Sequence, residues 1–508
     1  MSQYDTVIIG AGHNGLVCAS YLAQQNQKVL VVEASEHYGG LARTYEFHPG
    51  FKVAVAHHAI HFPNRISKDL ALESHGFKPS ASISRIGLAA NGDHIILAGG
   101  KLTGVSEKEQ QSFKKYNRLL QRFADALTPF WFKTVPPIGN NSFSELFSFT
   151  QLGLKLRLLG QSDLREFFRV VTLPMYDLMD EYFDHPGLKV LLSWDALIGS
   201  KQAPRSPNNS VLQLLYRMAG DSAGTTDIVR LIDSLYSCAL SRGVEVRTNA
   251  EVSRIQVDRS DSGLKAVGVK LADGEEITAQ NIVSSADPKT TFLKLLGANN
   301  LEIEFTNRIA RIRSDGLVAK LNLALSGLPV FKGLDKTEGR LFIAPDLDSM
   351  EWAFDDAKYG DSPANPIMEL SIPTLQNPDL APEGAHVLSV QIMYTPYKHS
   401  DQWSEQARSS LIEKVIDTIA SYAPGIREQI VSHELLTPVD LESQYHVAGG
   451  HWHHGDIAFD QMLMMRPTYG AAQYRTPVNG LFICGSGSHP AGDITGIPGH
   501  NAARAILS

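Results

Sequence analysis

Apolar and polar positions over the first 35 residues follow the order strand, turn, helix, strand. Residues 5–9 form a short apolar run, and residues 10–15 read GAGHNG. Residues 14–25 then carry apolar side chains at helical spacing, and a second apolar run covers residues 28–34. This order predicts a βαβ unit at the start of the chain.

Two later blocks carry strand patterns of their own. Residues 243–287 alternate apolar and polar side chains around an Asp-Gly pair at 273–274, which predicts a hairpin or a meander. Residues 480–506 read GLFICGSGSHPAGDITGIPGHNAARAI, an apolar run followed by a glycine-dense turn and a helical pattern. We expect this last helix to begin near Asp493 or Ile494 and to point its positive end at a bound group.

The regions between these three blocks differ from them in pattern. Residues 107–240 are rich in helical periodicity, and residues 315–400 mix strand-like stretches with a proline-rich connection. The economical interpretation is one nucleotide-binding domain built from three distant segments, with a second lobe between them. The predicted domain covers residues 1–70, 220–295 and 440–508, and the predicted lobe covers residues 71–219 and 296–439.

Composition narrows the class of protein. The 508 residues are 43% hydrophobic and 20% charged, which is typical of a globular protein with more than one lobe. The net charge of −8, without a long basic run, argues against nucleic acid as a partner. No apolar run reaches the roughly 18 residues that span a bilayer, and a strand starts almost at once, so we expect a cytoplasmic location.

The three cysteines, Cys18, Cys238 and Cys484, are far apart in sequence. Because they include no C-x-x-C pair, we expect neither thiol–disulfide chemistry nor a zinc ribbon. Scattered single cysteines suit a reducing compartment, where they serve as small core residues.

The first glycine turn has the spacing of a dinucleotide site. Gly10 permits a tight turn, Gly12 lets the backbone approach a pyrophosphate, and Gly15 allows close packing of helix on strand. The helix that follows would direct unpaired N–H groups at the phosphates. Glu33 ends the second predicted strand, where a carboxylate accepts hydrogen bonds from a ribose diol and repels the 2′-phosphate of NADP.

A second glycine pair favours FAD over NAD. Gly39 and Gly40 follow Glu33 closely, and Arg43 comes next, a natural partner for a phosphate or a flavin ring. No second G-x-G-x-x-G occurs in the insertion, where a separate NAD(P)H domain would place it. We therefore expect one dinucleotide, FAD.

Further motifs extend along the whole chain: VIIGAGHNGL, GGLART, VRTNAEVSRIQVD, AVGVKLADGEEITAQNIVSSADP, NPDLAPEGAHVLSV and YRTPVNGLFICGSGSHPAGDITGIPG. In these motifs the chain resembles the phytoene desaturase (carotenoid desaturase-type) family of flavoproteins, itself similar to the amine oxidases. The C-terminal segment most resembles the branch called pyridine nucleotide-disulfide oxidoreductase domain-containing protein 2. The resemblance implies an α/β fold, with a Rossmann-like FAD-binding domain of the glutathione-reductase/amine-oxidase type and an inserted mixed α+β substrate lobe.

The resemblance also implies which residues hold the cofactor. Arg43 would lie near the pyrophosphate or the flavin, and the backbone of Val252 would contact the adenine side. The ADP half would be held by Gly10, Gly12, Gly15 and Glu33.

On the flavin side, Gly485, Gly492 and Asp493 would approach the pyrophosphate and the ribityl chain. Ile494 to Gly496 would meet the edge of the isoalloxazine ring. Asp493 departs from the branch, which commonly has a glycine there, and two roles are open for it. The carboxylate would either bind a ribityl hydroxyl or cap the final helix.

Family chemistry transfers a hydride to flavin N5 while a neighbouring carbon loses a proton. His57 and His61 would share a face if they were helical, and His451 and His453 would do so on a strand. We expect His57, His58 and His61 to line the flavin or substrate site, with hydrogen-bonded packing as the alternative. We expect no metal, because no Cys or closely spaced carboxylate completes a ligand shell. Arg466 and Tyr474, which flank the final motif, are further candidates for the active site.

The leading hypothesis is an FAD-dependent oxidoreductase that dehydrogenates an apolar or amphipathic, lipid- or isoprenoid-like substrate and passes electrons to oxygen or a quinone-type acceptor. The alternatives are an amine or amino-acid oxidase, a redox-neutral isomerase and a non-catalytic lipid or protein carrier on the same fold. Residues 151–173 are apolar with interspersed Arg and Lys. Their unsegregated charges favour a core helix over one that dips into a membrane surface.

Overall fold

The computed structural model describes residues 3–80, 83–134, 158–207, 210–219, 224–260 and 263–508. The strands are β1 (Tyr4–Ile9), β2 (Val29–Val32), β3 (Thr44–His48), β4 (Phe51–Ala54), β5 (Arg85–Gly87), β6 (Ile95–Ala98), β7 (Lys101–Thr103), β8 (Glu245–Arg247), β9 (Val252–Ser260), β10 (Gly263–Leu271), β11 (Glu276–Ser284), β12 (Val318–Leu325), β13 (Arg340–Ile343), β14 (Met368–Ser371), β15 (His386–Met393), β16 (Ile430–Leu436) and β17 (Leu481–Ile483). The helices are α1 (His13–Ala23), α2 (Asn64–Asp69), α3 (Glu107–Trp131), α4 (Gln161–Val170), α5 (Met175–Tyr182), α6 (Pro186–Leu197), α7 (Ser210–Met218), α8 (Ile228–Ser241), α9 (Ile303–Ala310), α10 (Leu347–Lys358), α11 (Glu405–Tyr422), α12 (Ile426–Gln429), α13 (Pro438–Tyr445) and α14 (Ile497–Leu507).

The first sheet is a parallel array with the order β8-β2-β1-β11-β17. Its central strands are apolar and buried, as expected where helices cover both faces. The first half of β11 pairs with β10, and β9 completes an antiparallel meander. The predicted βαβ unit and the predicted meander are therefore confirmed, and the Rossmann-like α/β fold is confirmed with them.

The second sheet has the order β16-β12-β15-β14-β13-β5-β6-β7. Its pairs are antiparallel except that β13 and β5 run parallel. The strand-like stretches predicted in residues 315–400 form β12 and β15, which are neighbours in this sheet. The proposed domain boundaries remain a prediction.

The final helix begins later than predicted. It starts at Ile497, after Gly496 in the left-handed region, whereas we expected a start near Asp493 or Ile494. The expectation is wrong because Gly492 and Asp493 also have positive φ, so residues 492–496 form an irregular turn. Pro498 fits the first turn of the helix, where a missing N–H costs nothing.

Helices α1 and α14 cross at very short range beside the first sheet. A Cβ on Gly499 would lie 2.1 Å from the carbonyl oxygen of Asn14, and only a glycine permits this approach. Gly15 plays the same part beneath α1, since a Cβ there would lie 2.1 Å from the carbonyl oxygen of Gly10. The close packing predicted for Gly15 is present.

Candidate FAD and substrate site

A cavity of about 530 Å³ joins the two sheets. One end lies at the carboxyl ends of β1, β2 and β11, where open parallel sheets bind ligands. The other end reaches the second sheet at Arg340, Glu369 and Gln391 on the adjacent strands β13, β14 and β15. The predicted site residues that line the cavity are Gly10, Gly12, Glu33, Gly39, Gly40, His57, His58, His61, Val252, Asp493 and Ile494.

The two amino-terminal glycine turns lie against each other. Gly10 has a φ of +95°, and Gly12 directly precedes α1 without a side chain over the helix N-terminus. The N–H of Gly39 donates to the carbonyl of Ala11, and Gly39 forms a bridge with Gly12. The resulting cradle exposes backbone N–H groups to the cavity, as a pyrophosphate requires.

Glu33 lies beside the cradle at the end of β2. Its Oε2 accepts the N–H of Ala11 at 2.8 Å, and its Oε1 accepts the N–H of Ser35 at 3.0 Å. Val252, at the start of β9, lines the same part of the cavity. A carboxylate held in this way suits the ribose of a dinucleotide.

Buried polar atoms around the cradle have no partner among the described residues. They are the Nε2 of His13, the Oδ1 of Asn14 and the Nε of Arg43. Burial lowers the pKa of His13 to about 3, so its ring is neutral at pH 7. Orphaned polar atoms are rare in folded proteins, and a dinucleotide bound in the cavity would satisfy those of His13 and Asn14. His13 and Asn14 also line the cavity, and neither was predicted from the sequence.

Arg43 itself lies behind the cavity wall, where its guanidinium stacks on the ring of Tyr445 at 4.3 Å. Gly485, Gly492 and Gly496 also stand behind the lining. Gly485 lets β17 end against β11, because a Cβ would lie 2.4 Å from the carbonyl oxygen of Ser285. These glycines shape the final turn without facing the cavity.

Asp493 forms an ion pair rather than a helix cap. Its Oδ2 lies 3.0 Å from the Nε of Arg217, and Gly496 occupies the capping position of α14. Burial opposes ionisation, but Arg217 and the neighbouring histidines lower the pKa of Asp493 to about 2. Of the two roles left open for Asp493, capping of the final helix is therefore ruled out, and contact with a ribityl hydroxyl stays a prediction.

His57, His58 and His61 lie in an irregular connection after β4, so the helical arrangement in which His57 and His61 would share a face is not formed. The Nε2 of His58 lies 3.0 Å from Glu369, and the Nε2 of His61 lies 3.9 Å from Asp493. Burial lowers the pKa of His57 to about 3 and that of His61 to about 4. All three residues belong to the cavity lining, and their role at the flavin or substrate site stays a prediction.

His451 and His453 lie in turns after residues 448–450 rather than on a strand. His453 lines the cavity, and its Nε2 lies 3.1 Å from a guanidinium nitrogen of Arg217. Arg466 and Tyr474 lie outside the lining. Arg466 donates to backbone carbonyls, among them that of Ser486 at 3.0 Å, and the Tyr474 hydroxyl donates to the carbonyl of His489 at 2.9 Å. The geometry makes both residues supports of the final turn.

A buried ionic network at the second sheet was not predicted. Arg340 donates from Nε and from a terminal nitrogen to the two oxygens of Glu369, both at 2.8 Å. The same guanidinium contacts Asp195 of α6 at 2.8 Å. Despite burial, Arg340 holds the pKa values of Asp195 and Glu369 below their usual range. The sequence signal was a charged residue in the middle of the apolar run IMELS.

Among the residues with described structure, no group of three or more His, Cys, Asp or Glu residues is arranged to hold a metal ion. No helix in this part of the chain has the length and apolar character needed to cross a membrane. Of the segment 151–173, residues 151–157 lie outside the described ranges, and α4 buries Phe167 and Val170 while Phe168 is exposed.

Comparison with known proteins gives matches along the whole chain. A family profile described as flavin-containing amine oxidoreductase matches residues 15–507. A mouse protein named pyridine nucleotide-disulfide oxidoreductase domain-containing protein 2 is 32% identical, over 99% of this chain and 93% of its own length. A limonene dehydrogenase subunit from Castellaniella defragrans is 27% identical, over 100% of this chain and 95% of its own.

Among solved structures, putrescine oxidase bound to putrescine has a TM-score of 0.61. It shares 15% identity, over 99% of this chain and 98% of its own, and therefore shows the fold alone. The family profile and the dinucleotide site together identify the cofactor as FAD and the class as oxidoreductase. The chain belongs to the flavin-containing amine oxidoreductase family.

Proposed function

We propose that the chain removes a hydride and a proton from neighbouring carbons of an amphipathic substrate, leaving a double bond. The observation that carries this proposal is the lining of the cavity beyond the glycine turns. There, Ile198 and Trp452 line the same cavity as the polar residues Arg340, Glu369 and Gln391 of the second sheet. Such a lining suits a hydrophobic body with a polar end, as in a lipid- or isoprenoid-like molecule.

Gln391 offers a contact for the polar end. It pairs with Glu369 in the second sheet and lines the cavity. No described residue makes a hydrogen bond to its side-chain amide, whereas Glu369 and Asp195 are already bound by Arg340. The amide is therefore free to bind a hydroxyl or carbonyl of the substrate.

The cofactor in this proposal lies along the cavity with its adenine near Val252 and its isoalloxazine ring near Asp493 and Ile494. The cradle of Gly10, Gly12 and Gly39 lines the same cavity as Val252, Asp493 and Ile494, which supports this arrangement. Bound FAD supplies the hydride acceptor, and the chain supplies binding and orientation. Oxygen or a quinone-type acceptor then removes the electrons.

An amine or amino-acid oxidase is the second candidate, because the family is named for amine oxidation. The ion pairs that line the cavity argue against oxidation of an amine. In the described part of the chain, the carboxylates at its inner end are bound to cations, Asp195 and Glu369 to Arg340 and Asp493 to Arg217. An ammonium group would have to displace one of these guanidinium groups.

Anaerobic titration of the FAD-loaded protein tests the proposal. Isoprenoid alcohols, unsaturated fatty acids, carotenoids and primary amines are added in turn, and bleaching of the flavin band is followed. We expect bleaching with an amphipathic lipid-like compound and none with amines. Bleaching by amines alone, with release of peroxide in air, would instead establish the second candidate.

A variant pair tests the contact at Gln391. Gln391→Leu should raise the concentration of the active compound needed for half-maximal bleaching, because its polar end loses a partner. Gln406→Leu, on the exposed face of α11, is the matched control. An equal effect of both variants would contradict the contact.

A further inference from the structure

Glu369 is held in one orientation at the inner end of the cavity. Two parallel contacts of 2.8 Å from Arg340 occupy both carboxylate oxygens, and Asp195 holds the guanidinium from its other side at 2.8 Å. The three side chains are buried. Bidentate contacts of this kind fix direction as well as charge, so the carboxylate of Glu369 is an ionised and immobile acceptor.

His58 uses the remaining acceptor capacity of Glu369. Its Nε2 lies 3.0 Å from Oε1, the oxygen that also accepts the Nε–H of Arg340. Because an ionised carboxylate only accepts hydrogen bonds, the Nε2 of His58 carries the proton. In the tautomer that carries this proton, the lone pair is on Nδ1, and no described residue makes a hydrogen bond to that nitrogen.

Access to the cavity separates His58 from its neighbours. The His58 side chain is 18% exposed, whereas that of His57 is 0% exposed and its Nδ1 lies 3.9 Å from Glu369. His61 faces Asp493 instead, at 3.9 Å. The His61 side chain is about as accessible, at 17% exposed, but its 3.9 Å separation from Asp493 is too long for a hydrogen bond. His58 alone among these three therefore combines a hydrogen-bonded carboxylate with an accessible ring. The other charged or titratable groups around it are Arg340, Asp195, Lys320, His57, His61 and Asp493.

We propose that Nδ1 of His58 accepts the proton that the substrate loses, and that Glu369 and Arg340 position the ring for this step. The proposal rests on the proposed function. The substrate gives a hydride to bound FAD and a proton to Nδ1, its two carbons become doubly bonded, and His58 becomes an imidazolium. Glu369 stabilises that cation, as a carboxylate does behind a catalytic histidine. When oxygen or a quinone removes the electrons, it takes up the hydride and the imidazolium proton together.

The first test needs no substrate. FAD-loaded protein is treated with diethyl pyrocarbonate, which acylates an unprotonated imidazole nitrogen, and each histidine is followed by mass spectrometry. We expect modification of His58 in the wild type and its loss in Glu369→Gln. A carboxamide has one acceptor oxygen and an NH₂ donor, so it cannot keep both contacts of Arg340 and the contact of His58, and a carboxylate no longer dictates that Nε2 carries the proton.

Exposed His433 on β16 is the internal reference and should react equally in both proteins. Glu428→Gln, which also lies on the surface, is the matched variant and should leave His58 reactive. Equal modification of His58 in wild type and Glu369→Gln would overturn the positioning role. If Glu369→Gln does not fold, Arg340→Lys tests the same prediction, because a single ammonium cannot hold both oxygens of Glu369.

The second test uses the compound that bleaches the flavin most rapidly in the panel described above. His58→Ala should slow flavin reduction by about 100- to 10,000-fold, the usual contribution of a positioned base. Added imidazole should restore part of the rate, and reduction by dithionite, which needs no proton acceptor, should be unchanged. Unaltered reduction of His58→Ala by that compound would overturn the proposal while leaving the proposed function intact.

The two tests fail in distinguishable ways. If no compound bleaches the flavin of wild-type protein, the proposed function fails, and the modification experiment still reports on the pairing of His58 with Glu369. If a compound bleaches the flavin but both His58→Ala and Glu369→Gln behave as wild type, the pairing is structural only.

Discussion

Asp493 introduces a negative charge into the final glycine turn, directly beside a buried guanidinium. The carboxylate binds Arg217 at 3.0 Å, and the backbone N–H of Asp493 lies 3.2 Å from the Nδ1 of His453. Since His61 and His453 are neutral at pH 7 because of burial, the cluster carries one negative and one positive charge. The carboxylate thus compensates Arg217, whose field would otherwise act on the bound cofactor.

We expect Asp493→Asn to raise the midpoint potential of bound FAD. With its charge uncompensated, Arg217 would stabilise the negative charge that gathers on the reduced ring. A rise of about 30 mV corresponds to a tenfold change in the ratio of reduced to oxidised flavin. Potentials are measured by dye-coupled reduction, with Asp460→Asn as control because Asp460 pairs with Arg313 at the surface. A potential that is unchanged or lower in Asp493→Asn would contradict the role.

Residues whose role is local were predictable, and residues whose role needs two distant strands were not. Gly10, Gly12 and Glu33 follow from a short pattern, because the turn, the helix and the strand end lie within one βαβ unit. His58 and Glu369 are 311 positions apart, and their pairing depends on how the second sheet meets the connection after β4. No periodicity in either segment contains that information.

Among the elements, the crossing of α1 and α14 is a tight contact that glycine alone makes possible. Gly499 lies where a Cβ would meet the carbonyl oxygen of Asn14 at 2.1 Å. Asn14 also lines the cavity, so the crossing and the cofactor cradle share one residue. Displacement of α14 would therefore also move Asn14 in the lining of the cavity.

Gly499→Ala should destabilise the protein by about 1–3 kcal/mol or more, since a methyl group pressed onto a backbone oxygen forces the helices apart. We expect a lower midpoint of thermal FAD release, followed by flavin fluorescence. Gly327→Ala is the control, because the nearest atom to its Cβ would be the flexible Gln429 side chain at 3.8 Å. The same midpoint in the two variants would show that the helices can separate without cost.

Strands were predicted better than the ends of elements and the contacts between them. Apolar runs located β1, β2, β12 and β15, because burial on both faces leaves a continuous signal. The start of α14 was misplaced, since the pattern does not show the positive φ of Gly492 and Asp493. The contact between Cys18 and Cys484 was not predictable either, because 466 positions separate the two residues. In the structure, a hydrogen bond with the thiol of Cys484, together with burial, raises the pKa of Cys18.

At the scale of the whole molecule, buried neutral histidines make the free energy of unfolding depend on pH. Burial lowers the pKa of His489 and of His500 to about 4, and neither ring lines the cavity. Once the chain unfolds, each regains a value near 6.5. The unfolded chain therefore binds more protons between about pH 4 and 6.5, so stability is complete above this window and falls as the pH falls through it.

His489→Gln should weaken this pH dependence. One proton fewer is taken up on unfolding, which removes about 1.4 kcal/mol per pH unit from the slope of stability within the window. Thermal unfolding is followed by circular dichroism from pH 4.5 to 7.5, with exposed His433→Gln as control. A slope that His489→Gln leaves unchanged, or that His433→Gln reduces equally, would count against the explanation.

The pairing of β17 with β11 has a consequence for how the protein is made. A ribosome releases the cradle of Gly10 and Gly12 long before it releases β17, Ser486 and Asp493. Until then, the carboxyl end of β11 has an open edge and the cavity lacks one wall. Retention of the yellow cofactor would therefore report that translation reached the final helix, and a prematurely terminated chain would remain colourless and exposed to proteolysis.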